Sequence, residues 1–300
     1  MTLTADIGPE HAAMPAAEVE ITSDLLRRLL AEQRPDLAGE AITLIDAGWD
    51  NVTFRVGEAL AARLPRRAIA VGLLENEQRW LPQLAPRLPL PVPVPLFLGE
   101  ASAQFPWTWS LVRWIEGRTA NLAPPAPDQG PALAAFLKAL HQPAPAHAPA
   151  NPFRGVPLET RRQAVEERLT RIHAHIPPPL IAGFERAVAT SIDADPVWLH
   201  GDPHARNVLT RDGALAGFID WGDMCAGDPA NDLACIWMLL PQRKAREAAL
   251  IAYDPSPATV VRARGWAFLF GAMLLDSGLI NSPPLALMGQ ATFDRLQDGP

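Results

Sequence analysis

Cysteine is scarce in this chain of 300 residues, which has only Cys225 and Cys235. Two cysteines cannot build the disulfide framework of a small secreted domain, so we expect both to be reduced and buried as small apolar side chains. The sequence also lacks an apolar run near the ~18–20 residues that a membrane span needs, and its first residues have neither the basic start nor the apolar core of a signal peptide. These absences predict a cytoplasmic protein that does not enter a membrane.

Positive charge is also in deficit. The formal net charge of −7 argues against a nucleic-acid partner and is compatible with a cationic ligand, although many ordinary enzymes carry such a charge. With 48% hydrophobic residues and a mean hydropathy near zero, the chain can bury a sizeable core. Its length suits one large domain or two lobes.

The most informative segment, residues 198–233, reads WLHGDPHARNVLTRDGALAGFIDWGDMCAGDPANDL. Asp202 and Asn207 stand five residues apart, the interval of the kinase catalytic loop H-R-D-x-x-x-x-N, and Asp220 follows thirteen residues later, like the metal-holding Asp of a D-F-G segment. One carboxylate that orients a hydroxyl, with an amide and a second carboxylate for Mg²⁺, is the minimum set for moving a γ-phosphoryl group. The alternative is a turn-forming Asp after Gly201 and two residues that cap nearby backbone.

The pattern HGDxHxxN…IDW…GDPxxDLA resembles the aminoglycoside phosphotransferase family, and choline kinases and macrolide phosphotransferases are similar in the same places. The resemblance implies an α+β, protein-kinase-like bilobal fold with a small antiparallel-sheet N-lobe and a mainly helical C-lobe. It implies that Asp202 is catalytic, that Asn207 and Asp220 bind Mg²⁺, and that ATP or GTP is the co-substrate. The acceptor would be a small molecule with a hydroxyl group, with aminoglycoside-like antibiotics among the options.

The periodicity of the chain agrees with two lobes. Short β-like runs occur at 41–47, 51–57 and 59–65, a helix is predicted around Leu73–Leu84, and helices dominate from Pro131 onward, interrupted by the strand-like runs of the motif. We expect residues 1–20 to be disordered, residues 21–114 to form the nucleotide-binding N-lobe, and residues 115–300 to form the C-lobe with the catalytic loop and acceptor site.

The predicted N-lobe lacks two features of kinases. The hairpin at 48–57, where a nucleotide-covering loop belongs, is poor in glycine, so Asn51 and Thr53 are the candidates for polar contacts with the nucleotide. The lysine expected on the third strand is absent, and Arg63 stands in its place.

Arg63 is followed by Glu77 on the proposed helix, and the two would resemble the Lys–Glu pair that positions the α- and β-phosphates. Arginine is a planar fork rather than a point charge, so the exchange is not neutral. Arg66 or Arg67 could take the same role, and the alternative to both ideas is a surface cluster of arginines.

The aromatic-rich run 105–117 is predicted to be a strand that leads into the connection between the lobes. In this interpretation the backbone of Val112, Arg113 and Trp114 faces the adenine ring. The competing interpretation is that these residues simply pack in a core.

Two other features near the motif have alternative interpretations. His200 and His204 could belong to a zinc hydrolase, but we favour a core histidine at His200 that bonds to backbone under the catalytic loop, which the resemblance also implies. Asp228 and Pro229 predict a helix start, with Asp at the N-cap. Asp232 would brace the catalytic loop through hydrogen bonds or a partner such as Arg206.

The activity predicted from these features is ATP- or GTP-dependent phosphorylation of a small molecule by a monomer or homodimer. The alternatives are a nucleotide-binding pseudokinase without catalysis, because the lysine is missing, and the zinc hydrolase. Between Asp202 and Asp232 six aspartates face two arginines, Arg206 and Arg211. This local surplus of negative charge predicts amine-bearing or neutral acceptors, unless Asp212 and Asp223 are solvent-facing turn residues.

Overall fold

The computed structural model describes residues 16–299. Its first part is a five-stranded antiparallel sheet, with the strands in the order β1-β2-β3-β5-β4, accompanied by two helices. The elements in chain order are α1 (Ser23–Gln33), β1 (Ile42–Ala47), β2 (Asn51–Val56), β3 (Leu60–Pro65), α2 (Ala68–Leu84), β4 (Pro95–Gly99) and β5 (Trp109–Arg113). The strand runs predicted from the sequence are therefore confirmed.

Alternation along the strands gives this sheet two different faces. On β2 the residues Val52, Phe54 and Val56 are buried, while the residues between them are half-buried. The buried face packs in a cluster with Leu26 and Leu29 of α1, because side chains in a strand point alternately to opposite sides. The half-buried face of β2, formed by Asn51, Thr53 and Arg55, does not belong to this cluster.

The second part of the chain is mainly helical and contains two small antiparallel sheets, β6-β8-β9 and β7-β10. Its elements are β6 (Arg118–Thr119), α3 (Gly130–Leu140), α4 (Arg162–Ile172), α5 (Pro178–Val188), β7 (Val197–Leu199), β8 (Val208–Arg211), β9 (Ala214–Phe218), β10 (Cys225–Gly227), α6 (Ala230–Leu233), α7 (Cys235–Leu239), α8 (Arg243–Tyr253), α9 (Pro257–Asn281) and α10 (Pro283–Gln297). Its hydrophobic core is separate from that of the five-stranded sheet. The α+β class predicted from the sequence is confirmed.

Helix α9 corrects one expectation. Its stretch Pro257–Ile280 is long and apolar enough to cross a membrane by length and composition, although no such run was expected. In the fold, 67% of its most apolar window is buried, and it packs against α10, α5, α6 and α4. The apolar length of α9 is therefore explained by its place at the centre of the helical part.

The remaining expectations at this level concern the cysteines and the N-terminal segment. Cys225 and Cys235 are free and buried, as predicted. Of the segment 1–20 predicted to be disordered, residues 1–15 lie outside the described residues. In the described remainder, the Glu18 backbone N–H donates to Arg66 O at 2.9 Å, and the Glu18 carboxylate accepts from the backbone N–H of Ala68 at 3.1 Å.

Candidate active site

The loop between β7 and β8 carries Asp202 and is closed by its own hydrogen bonds. The backbone carbonyl of Asp202 accepts from the N–H of His204 and from Nδ2 of Asn207, both at 2.9 Å. Gly201 has φ +88, and a Cβ at this position would lie 2.3 Å from the carbonyl oxygen of Asp223. Only glycine fits there, so the sharp turn before Asp202 is encoded by Gly201.

Asp232 lies in α6, and its side chain holds the backbone of the two residues before Asp202. Its fully buried carboxylate accepts the N–H groups of His200 at 2.6 Å and Gly201 at 3.0 Å, and His141 Nε2 lies 3.4 Å away. Burial alone would raise the pKa of Asp232, but the hydrogen bond and charge of His141, with His200, lower it below its usual value. The predicted bracing role is confirmed.

The suggested partner of Asp232 was wrong. Arg206 points away from it and pairs with Asp46 of β1, with Arg206 NH2 2.8 Å from Asp46 Oδ2. Asp228 also differs from its predicted role as an N-cap, because α6 begins at Ala230, one residue later than expected. Asp228 does accept from the Ala230 N–H at 3.1 Å, but its buried carboxylate mainly pairs with Arg262.

His200 is the core histidine that the sequence predicted. Its Nε2 lies 3.0 Å from Ile219 O, its Nδ1 accepts from the Asp202 N–H at 3.3 Å, and its ring packs on Trp221. With both ring nitrogens engaged, His200 has no lone pair left for a metal. Within residues 16–299 no group of three or more His, Cys, Asp or Glu side chains is placed to hold a metal ion.

Asp220 is the second residue after the end of β9 and lies beside the catalytic loop. The Ile219 N–H donates to Asn207 O at 2.8 Å, which ties the residue before Asp220 to the end of the loop. Asp220 has φ +60, a conformation that non-glycine residues rarely adopt and that functional turns often contain. The Asn207 side chain is nearly buried and that of Asp220 is 54% exposed. An amide oxygen and a carboxylate suit Mg²⁺, which keeps several waters and needs few protein ligands.

Arg63 joins the two parts of the molecule at this point. Its guanidinium contacts both carboxylate oxygens of Glu77 on α2, and its NH2 lies 2.6 Å from Asp220 Oδ1. Arg63 and Glu77 are both buried. The predicted Arg63–Glu77 pair is therefore formed, and it extends to Asp220, which the sequence did not predict.

Burial shifts the proton affinity of this ion-pair network. Burial raises the pKa of Glu77, and Arg63 together with the N–H of Trp221, 3.2 Å from Glu77 Oε2, opposes that rise only in part. The pKa of Arg63 is raised, because the carboxylates of Glu77 and Asp220 outweigh its burial. Arg63 therefore stays a permanent cation at the junction.

Arg66 and Arg67, the alternatives to Arg63, hold the β1–β2 turn instead. Arg66 NH1 donates to Gly48 O at 2.7 Å, and Arg67 NH2 lies 3.0 Å from Asp50 Oδ1. Asp50 is half-buried, and its partial burial, followed by the nearby charge of Asp220, raises its pKa. The two arginines fix the hairpin and do not contact Glu77.

Strand register brings the other predicted N-lobe residues onto one face. Thr53 is paired with Arg63 across β2 and β3, and Asn51 is two residues before Thr53, so all three point to the same side. Ala61, two residues before Arg63, is paired with Val112 of β5, which places Val112 on this face too. The Oδ1 atom of Asn51 is buried without a hydrogen-bond partner.

The connection after β5 is only partly free for a ligand. Val112 is buried, Arg113 is exposed, and the N–H of half-buried Trp114 donates to Ala59 O at 2.7 Å. The Arg55 guanidinium stacks on the Trp114 ring at 4.6 Å. The Trp114 amide is thus already used, and Val112 and Arg113 lie within β5, where they pair with Ala61 and Leu60 of β3.

Comparison with known proteins identifies the family. Residues 41–266 match the model of the phosphotransferase enzyme family, APH. The chain belongs to this family. No curated protein matches the sequence.

Solved structures show the same fold. The GDP and kanamycin complex of APH(2″)-IIIa is 15% identical with a TM-score of 0.68, covering 91% of this chain and 99% of the other. The streptomycin–ATP–APH(2″)-IIa ternary complex is 16% identical with a TM-score of 0.59, covering 85% and 91%. The macrolide 2′-phosphotransferase MphH from Brachybacterium faecium is 21% identical with a TM-score of 0.57, covering 89% and 96%. The kinase-like fold is confirmed, and the chain is a phosphotransferase that acts on hydroxyl groups.

One charged residue of this phosphotransferase was missed by the sequence analysis. Arg154 is buried and pairs with Asp223 at 2.9 Å, its NH2 lies 3.7 Å from Asp202 Oδ1, and its guanidinium covers the Phe270 ring at 5.1 Å. Burial lowers the pKa of Arg154, but the charges of Asp223 and Asp202 raise it overall. A single arginine in a proline-rich loop gives no periodic signal, so only the fold could place it beside Asp202.

Arg154 also brings a positive charge next to two aspartates of the motif, Asp202 and Asp223. Of the six aspartates, five have cationic or backbone partners: Asp202 and Asp223 with Arg154, Asp220 with Arg63, Asp228 with Arg262, and Asp232 with two N–H groups. The Asp212 side chain is 96% exposed in the β8–β9 turn. This pairing reduces the unpaired negative charge on which the expected preference for amine-bearing or neutral acceptors depends, and that preference stays a prediction.

Proposed function

We propose that this phosphotransferase moves the γ-phosphoryl group of ATP or GTP to a hydroxyl of a small molecule, with Mg²⁺ as cofactor. The observation that carries the proposal is the contact of Arg63 with both Glu77 and Asp220, which brings a phosphate-binding cation and a candidate metal ligand together at the junction of the two parts. In this proposal residues 21–114 bind the nucleotide, and residues 115–300 supply the catalytic loop and the acceptor site.

Asp202 is the proposed catalytic residue. Its carboxylate accepts a hydrogen bond from the acceptor hydroxyl and receives the proton as the new oxygen–phosphorus bond forms and the bond from the γ-phosphorus to the bridging oxygen breaks. ADP or GDP leaves with that oxygen. The rigid backbone of the loop supports the role, because it fixes the direction of attack while the side chain stays 22% exposed.

Arg63 would contact the α- and β-phosphates, positioned by Glu77, and Asn207 and Asp220 would hold the metal. Mg²⁺, when bound, neutralises charge on the phosphate oxygens. Asn51 and Thr53 lie on the same face as Arg63 and are proposed to contact the nucleotide, with Val112, Arg113 and Trp114 beside the base. We also propose a cytoplasmic location, which the two free, buried cysteines support.

A screen of hydroxyl compounds for acceptor-stimulated ADP or GDP release, with detection of the phosphorylated product, tests the proposal. The panel should include aminoglycosides and a macrolide, because structures of similar fold are named for them. Asp202→Asn is the negative control. Mg-nucleotide binding without release on any acceptor would favour the pseudokinase, which the replacement of lysine by Arg63 motivates.

A further inference from the structure

Three arginines form a group on the helical side of the catalytic loop. We call Arg154, Arg161 and Arg168 the arginine cluster. Arg154 is the member nearest to the proposed chemistry, with NH2 3.7 Å from Asp202 Oδ1. Burial, followed by the positive charges of Arg154 and Arg168, lowers the pKa of Arg161 to about 10. The three cations are thus close enough to repel one another.

Two members of the cluster have carboxylate partners. Arg154 is paired with Asp223 at 2.9 Å. Arg168 lies 3.9 Å from Asp276 and donates to Ala164 O at 2.6 Å, but Asp276 is shared with Arg171, whose guanidinium contacts both of its oxygens. The negative charge near Arg168 is therefore mostly engaged elsewhere.

Arg161 has no such partner. Across residues 16–299 no carboxylate forms an ion pair with its guanidinium, and its Nε has no hydrogen-bond partner. Its Nε is buried, and its guanidinium covers the ring of Phe153 at 4.9 Å. A half-buried guanidinium that repels two neighbours and lacks an anion is costly, so this arrangement is typical of a site that receives one.

The loop that carries Phe153 and Arg154 is fixed against the catalytic region. Gly155 O accepts from the Asp228 N–H at 2.9 Å, and the Gly155 N–H donates to Asn231 Oδ1 at 3.2 Å. Gly155 has φ +63, and a Cβ on it would lie 2.5 Å from Leu199. Arg154 and the ring of Phe153, on which the Arg161 guanidinium stacks, therefore belong to a loop that is fixed next to the catalytic region, as a recognition site requires.

We propose that Arg161, backed by Arg154 and Arg168, binds an anionic group of the acceptor, a carboxylate or a phosphate, while a hydroxyl of the same molecule meets Asp202. The inference rests on the proposed function and specifies the acceptor class: hydroxy acids or hydroxy phosphates rather than polycationic aminoglycosides. A planar guanidinium matches both anions through two parallel N–H bonds.

Matched acceptor pairs test the proposal. Glycerate and glycerol 3-phosphate are compared with glycerol, 4-hydroxybutyrate with 1,4-butanediol, and kanamycin serves as the cationic member. We expect the wild type to prefer the anionic member of a pair. We expect Arg161→Gln to raise the KM of that acceptor about 10- to 100-fold, the worth of a charge-assisted contact, with kcat and the KM for nucleotide nearly unchanged. Arg162→Gln is the matched control, because Arg162 is the next residue and pairs only with Glu159 and Glu185.

A binding measurement keeps the test decisive if no acceptor in the panel turns over. Calorimetry with glycerate or glycerol 3-phosphate, in the presence of saturating ADP and Mg²⁺ to fill the nucleotide phosphate site, should show binding to the wild type and Arg162→Gln but not to Arg161→Gln. The carboxylate and phosphate arms show which anion is preferred. Two results would overturn this inference and leave the phosphotransferase proposal intact. The first is turnover of neutral or cationic acceptors that Arg161→Gln does not change. The second is anion binding that is absent from the wild type or unchanged in Arg161→Gln. Absence of transfer together with absence of Mg-nucleotide binding would instead count against the proposed function.

Discussion

At the scale of single residues, Asp202 combines a fixed backbone with a partly exposed carboxylate. We predict that Asp202→Asn lowers kcat by roughly 10²–10⁴-fold, the usual worth of a positioned acid–base group. Nucleotide affinity should be nearly intact, because the hydrogen bond from Asn207 reaches the backbone of Asp202 and not its side chain. The measurements are steady-state turnover with a known acceptor and calorimetry with Mg-nucleotide.

Asp212→Asn is the matched control for this prediction. It makes the same chemical change on a side chain that is 96% exposed in a turn of the same motif. It should leave turnover unchanged. Full activity in Asp202→Asn would remove Asp202 from the catalytic role.

Arg63 gives a second prediction at this scale. Arg63→Ala should raise the KM for nucleotide and lower kcat together. Arg63→Lys should recover part of the loss, because lysine restores the positive charge but not the planar fork of the guanidinium. Arg63→Ala also leaves Glu77 buried without its cation, so we expect a loss of stability of about 3–5 kcal/mol. Kinetics and urea unfolding should be measured on both variants, and an effect of Arg66→Ala or Arg67→Ala larger than that of Arg63→Ala would move the phosphate role to the hairpin.

At the scale of elements, a buried ion pair fixes α9 to the start of α6. Arg262 Nε lies 2.7 Å from Asp228 Oδ2, both side chains are almost fully buried, and Arg262 also reaches Asp193 at 2.8 Å. We predict that Arg262→Met destabilises the protein by about 3–5 kcal/mol, because it leaves the Asp228 carboxylate buried and unpaired. The midpoint of thermal or urea unfolding measures the loss.

A surface pair supplies the control for Arg262. Arg243 and Glu247 on α8 are 2.9 Å apart with both side chains exposed, so Arg243→Met should cost at most about 1 kcal/mol. Equal losses in Arg243→Met and Arg262→Met would show that the buried pair does not anchor α9.

Local sequence patterns predicted most of the strands and helices and the catalytic motif, because these features depend on residues that are near one another in the sequence. The interval from Asp202 to Asn207 and the alternation of β2 are patterns of residues that are close in sequence, so the motif and the strands could be predicted. Arg154, which lies near Asp202, also packs on Phe270 of α9, and Arg206 of the catalytic loop pairs with Asp46 of β1. Such contacts depend on packing between distant segments, which residue spacing does not contain.

At the scale of the whole molecule, the ion pairs Arg63–Asp220 and Arg206–Asp46 cross between the sheet part and the helical part. In the first pair Arg63 is buried and Asp220 is 54% exposed, whereas both members of the Arg206–Asp46 pair are exposed, and this pair joins the catalytic loop to β1 at 2.8 Å. We predict that Asp46→Asn speeds the release of ADP severalfold, because β1 then separates from the catalytic loop more easily, and that raised salt has the same effect on the wild type. Stopped-flow release of a fluorescent ADP analogue measures both, and release that is unchanged by salt and by Asp46→Asn would show that this pair does not restrain the cleft.

The buried cysteines have a practical consequence. Cys225 and Cys235 lie in the core on either side of the residues that brace the catalytic loop, and burial raises the pKa of both thiols. A protonated, enclosed thiol does not react with alkylating reagents, so modification must wait until this region opens. The two native thiols can therefore serve as a probe of local opening. The rate at which they are alkylated reports how often the buried residues beneath the catalytic loop become exposed.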